Sequence, residues 1–132
     1  MQIFVNLVVA DVAKSRTFYE ALGFAINEQF SNQDAACVVM SDSIYLMILA
    51  RPFFQTFTHQ PLGEPLKSVS AIYALSCADR AGVDVMMAAA LQAGATEPMP
   101  ARDMGFMYNR MFADLDGHVF EPMWMDMAAV NG

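Results

Sequence analysis

Residues 5–24, VNLVVADVAKSRTFYEALGF, hold one plan in a single stretch. A run of strand formers leads to Asp11, a helical segment follows, and Leu22-Gly23 closes it before the next apolar run. Asp11 stands where its carboxylate can accept hydrogen bonds from the first free helical N–H groups, and Gly23 stands where a helix can end left-handed. Residues 72–95, IYALSCADRAGVDVMMAAALQAGA, repeat the plan with Asp79 and Gly94 in the same roles. Val83, Met86, Met87, Ala90 and Leu91 follow i, i+3, i+4, i+7, i+8, a stripe that must lie on a sheet.

Outward from the first copy, FAINEQF (24–30), AACVVM (35–40) and IYLMILA (44–50) read as three strands split by the turn formers SNQD and SDS. After the second copy come a short strand at about 95–101, then FMYNRMFA (106–113) and HVFEPMW (118–124), with Asp116-Gly117 in the last turn. The chain therefore reads as α+β, two βαβββ modules in one domain spanning 1–132. Module 1 covers about 1–50 and module 2 about 69–127. The connector 51–68 holds three of the six prolines and one helical turn at 53–57. Two such half-barrel sheets, each backed by a helix, are expected to surround a pocket.

The last hairpin, FADLDGHVFEPMW (112–124), places one acid on an otherwise apolar strand. Alternation puts Val119, Glu121, Met123 and Met125 on one side and His118, Phe120, Pro122 and Trp124 on the other. Which residues of the preceding strand join Glu121 depends on loop length. A two- or four-residue loop brings Arg110, with Phe106, Tyr108 and Phe112; a three-residue loop brings Asn109 instead. Glu121 is then either a core acid neutralised by its neighbour or one of the polar groups that hold a guest.

Composition narrows the function. With 132 residues and 56% apolar content the chain suits one well-filled domain, and 14 acidic against 7 basic residues repel phosphate backbones and acidic membranes. Nucleic acid and membrane are not expected as partners. The opening MQIFVNLVVADVAK resembles neither a signal peptide nor a spanning helix, so the expected location is cytoplasmic. Cys37 and Cys77 read as buried free thiols, and the twelve methionines as core filler or as the lining of an adaptable cavity.

The stretches VADVAKSRTFYEALGF and FADLDGHVFE, set in this order of elements, resemble the glyoxalase, bleomycin-resistance and extradiol-dioxygenase superfamily, also called vicinal oxygen chelate proteins. The overall look is closest to small bacterial proteins described as predicted lactoylglutathione lyases. The resemblance implies a divalent ion held by one residue from the first strand and one acid from the last strand of each half. Glu121 occupies the last-strand acid position, but Phe4 and Ile72, each seven residues before a helix-capping Asp, occupy the first-strand positions. IYLMILA contains no carboxylate, His or Gln. Glu121 is thus a metal ligand only if other residues join it, with His59 and His118 the remaining histidines.

Two functions follow from the resemblance. The first is a protein that binds a small organic molecule in an apolar pocket with an incomplete metal site and no cofactor, using Phe4, Asn6, Tyr108, Arg110 and Glu121. The alternative is a metal-dependent lyase or isomerase acting on the hemithioacetal of a 2-oxoaldehyde and a thiol, with Glu121 catalytic. A bare interaction module is a third reading. The sequence leaves enzymatic turnover open, and the resemblance implies paired modules, across a homodimer or within one chain. Arg16, Arg51 and Arg102 read as solvated surface charges, and the aromatics of RPFFQTF as a closure of the core.

Overall fold

The computed structural model describes residues 1–131, which form two compact units, Met1–Glu64 and the residues from Pro65 onward. In the first, β1 (Ile3–Val9) leads to α1 (Val12–Ala21), followed by β2 (Ala25–Asn27), β3 (Ala35–Val39), β4 (Ile44–Ala50) and the short α2 (Arg51–Phe54). The sheet order is β1-β4-β3-β2, with β1 parallel to β4 and the other pairs antiparallel. Asp11 caps α1 as expected, accepting from the Lys14 N–H at 3.0 Å, and Gly23 follows at φ +98°. The strand expected to run to residue 30 stops at Asn27, whose side chain accepts from the Gln29 N–H at 3.0 Å and turns Glu28–Phe30 into a 3-10 turn. α1 packs on β3 and β4, and Leu7, Leu46, Ile48 and Val38 are fully buried beneath it. Each such side chain contributes roughly 1.5–3 kcal/mol.

The second unit repeats the order. β5 (Ile72–Ser76) leads to α3 (Arg80–Gln92), then β6 (Arg102–Asp103), β7 (Met107–Asn109), β8 (Phe112–Ala113), β9 (Val119–Met125) and α4 (Met127–Asn131). The sheet runs β5-β9-β7-β6, with β8 also paired to β9 and β5 parallel to β9. In both units the first and last strands are parallel neighbours, with the helix and the other strands between them along the chain, which is what makes the modules alike. Asp79 caps α3, accepting from the Gly82 N–H at 2.7 Å. The helix stripe is narrower than its apolar pattern: Val83, Met87 and Ala90 are fully buried, whereas Met86 is half-buried and Leu91 exposed.

Two expected strands are shifted. The strand expected at about 95–101 is reduced to one bridge, Thr96 with Ala113, and β6 begins at Arg102, because Pro98 and Pro100 have no N–H to give a ladder. The strand expected over 106–113 divides into β7 and β8. Arg110 N donates to Pro122 O at 3.1 Å, but Pro122 has no N–H to return, so the ladder breaks there. No helix among the described residues is long and apolar enough to cross a membrane.

Candidate functional site

Register assigns the faces of each sheet. In the second unit Asn109 pairs with Met123, Phe112 with Phe120, and Tyr108 with Trp124. The loop before β9 is the three-residue one, closed by Asp114 N donating to His118 O at 2.9 Å. Asn109 therefore shares a face with Glu121, together with Met107, Met123 and Met125 on the antiparallel strands and Ala74 and Ser76 on β5. Arg110 and Tyr108, expected beside Glu121 under an even loop, point to the opposite face. A shift of one residue in pairing moves a whole strand's side chains from one side to the other.

The Glu121 face is mostly apolar and sulfur-rich. Glu121 is half-buried and has no ion-pair partner among the described residues. Asn109 is 6% exposed, and its Oδ1 is buried with no hydrogen-bond partner. Arg102, paired with Asn109 across β6 and β7, adds a charge to this face from the exposed edge strand. His118 is buried at the foot of β9, its N–H bonded to Asp114 Oδ1 at 2.9 Å, and His59 is exposed in the first unit.

The opposite face carries the charged network. Arg110 makes a two-pronged ion pair with Glu97, 2.9 Å for each contact, and reaches Asp84 on α3 at 3.0 Å. The Tyr108 hydroxyl donates to the same Asp84 at 2.6 Å. Arg80, at the start of α3, grips Asp103 through contacts of 2.7 and 2.8 Å and lies over the rings of Tyr108 and Trp124. The bond from Tyr108, aided by Arg110, lowers the pKa of Asp84, and Arg110 lowers that of Glu97. The Arg80 bond, aided by the Gly105 N–H, holds Asp103 down to about 2. These side chains fasten α3 to the sheet. A groove of about 450 Å³ runs along this side, between residues 97–101 and Arg110, whose charge Glu97 and Asp84 already use.

In the first unit Phe4 and Asn6 share a face with Tyr45 and Met47, their partners on β4. Phe4 stacks on Tyr45 with ring centroids 4.6 Å apart, yet half of it remains exposed. Asn6 bends back to donate Nδ2 to Phe4 O at 3.3 Å. Cys37 is buried and Cys77 half-buried, both unbridged, and burial pushes both thiols up.

Residues 2–41, most of the first unit, match the bleomycin resistance protein-like N-terminal family. The whole fold is similar to solved structures. A hypothetical protein from S. aureus aligns with TM-score 0.80 and 27% identity, over 94% of this chain and 93% of that one. A glyoxalase-related enzyme from Fulvimarina pelagi aligns with TM-score 0.79 and 21% identity, over 94% and 87%. A glyoxalase/bleomycin resistance protein/dioxygenase family enzyme from Burkholderia phytofirmans aligns with TM-score 0.77 and 16% identity, over 92% and 96%. The likeness in sequence is to the bleomycin resistance protein-like family over residues 2–41, and the fold is the one these glyoxalase-related structures share. No curated protein matches its sequence.

The glyoxalase-like fold raises the question of a divalent ion, and each unit has its own set of donors. In the second unit Ala74 pairs with Glu121, and in the first the equivalent pair is Asn6 with Met47. The acid on the last strand thus has a methionine as its counterpart. Phe4 and Ile72 hold the first-strand positions, and neither a phenyl ring nor an alkyl chain can ligate. Among the described residues no three His, Cys, Asp or Glu side chains gather to hold an ion. The residues present do not fit a catalytic metal. Sequence reasoning singled out Glu121 and kept Asn109 as the three-residue-loop alternative; it had no signal for the burial of Asn109 or for its unpaired oxygen.

Proposed function

We propose that this glyoxalase/bleomycin resistance-like protein binds a small organic molecule on the methionine-lined face of its second sheet, without a metal ion. The observation that carries the reading is the pair Asn109 and Glu121. An unpaired buried amide oxygen costs roughly 1–3 kcal/mol, and this one sits with a half-buried acid among thioethers and alkyl groups. A few unsatisfied polar groups in an apolar lining are what a small-molecule site presents. Methionine adapts its shape to guests of different outline.

The lyase alternative asks for an ion to stabilise an enediolate, and it has only Glu121 to offer one. Titration of chelator-treated protein with the neutral dye Nile red tests the binding reading. Saturable, blue-shifted emission that is unchanged by Ni²⁺, Zn²⁺, Co²⁺ or Mn²⁺ is expected. A melting midpoint that rises with one of these ions in the wild type but not in Glu121→Gln would overturn it and restore the metal-dependent lyase.

A further inference from the structure

Resting on that reading, we infer that the guest carries a hydrogen-bond-donating head group, a protonated amine on an apolar body, and that Asn109 together with Glu121 selects it. The first ground is the chemistry of the two groups on the inner part of the face. Asn109 Oδ1 is an acceptor, and a carboxylate is acceptor only. The second ground is where the cations are. Arg110 stands on the other face, committed to Glu97 and Asp84, and Arg80 is committed to Asp103.

Arg102 is the cation on this face, and it stands on an exposed edge strand where solvent screens it. An anionic head group placed beside Glu121 meets a like charge and leaves Asn109 Oδ1 unpaired. An ammonium supplies three donors and answers both. The surrounding Met107, Met123 and Met125 suit the apolar body and leave the head group few other partners.

The test uses three probes of one shape, 4-phenylbutylamine, 4-phenylbutanol and 4-phenylbutyrate, titrated into isotopically labelled protein and followed by amide chemical shifts. The amine is expected to bind about tenfold or more tightly than either companion, since a charge-assisted bond exceeds a neutral one. In Asn109→Leu the preference should fall while the melting midpoint holds or rises, because an orphaned polar atom has been removed. A residue that merely supports the fold would show the reverse. Asn109→Asp should tighten the amine, and it keeps the question decidable if the leucine variant misfolds.

Equal binding of all three probes, or tightest binding of the carboxylate, overturns the amine assignment and leaves the binding reading standing. Failure of all three probes, with no saturable Nile red signal, removes both.

Discussion

Arg110 and Glu121 stand on opposite faces of one sheet, although only one strand boundary separates them. Arg110 instead pairs with Glu97 and with Asp84 of α3, so its work is to hold the helix down. Arg110→Met should destabilise the protein by about 1–2 kcal/mol, less than a fully buried pair because Asp84 remains half in solvent. Urea unfolding measures that loss. Affinity for the amine probe should be unchanged, and a large fall in affinity would place Arg110 in the site after all.

Gly117 closes the last turn at φ +93°, and a Cβ added there would meet the backbone of Pro65 and Leu66 at 2.7–2.8 Å. Neither the left-handed backbone nor the close approach tolerates a side chain. Gly117→Ala is therefore expected to cost about 1–3 kcal/mol. The lower urea midpoint should come with an unchanged m-value, because the surface exposed on unfolding is the same in the variant and the wild type. An alanine variant as stable as the wild type would mean that the segment at 65–66 moves aside freely.

The sequence disclosed this fold where local chemistry and periodicity agree. Asp11 and Asp79 cap because aspartate competes well for free N–H groups, and β4 was readable to the residue because SDS bounds it. The repeat was legible as order rather than identity. What could not be read was parity: Asp114 N to His118 O makes the loop three residues long, and that one bond sends Asn109 rather than Arg110 toward Glu121. The buried Asp114 carboxylate sustains the turn by accepting from the Asp116 and His118 N–H groups at 3.0 and 2.9 Å. Tertiary burial, which leaves Asn109 Oδ1 without a partner, leaves no trace in a single sequence.

Acid should loosen α3 before it unfolds the rest of the second unit. Asp84, Glu97 and Asp103 all have pKa values depressed in the folded state, so they add stability that is complete above the ordinary carboxylate range of 3.8–4.5 and is lost as pH falls through the folded values. For Asp103 the folded value is about 2, which places the loss between roughly pH 4 and pH 2. Salt should blunt the effect at Asp84 and Asp103, which are half exposed, more than at Glu97. Stability measured at pH 7, 5.5 and 2.5 should hold across the first step and fall across the second. A protein equally stable at all three would show that the ion pairs contribute nothing.

Arg80 offers a sharper test of the same network, because the single tryptophan reports on it. The guanidinium lies 5.2 Å from the Trp124 ring and 5.3 Å from that of Tyr108, while its two nitrogens engage Asp103 and one also donates to Gly105 O at 2.7 Å. A planar fork can stack and pair at once; a lysine ammonium, compact and strongly hydrated, cannot do both. Arg80→Lys should therefore keep the positive charge yet shift Trp124 emission to the red and lower the urea midpoint. Arg80→Met should match it in both, because the loss is of geometry more than of charge. If lysine restored the wild-type emission and midpoint, the charge alone would be holding the start of α3 to the sheet.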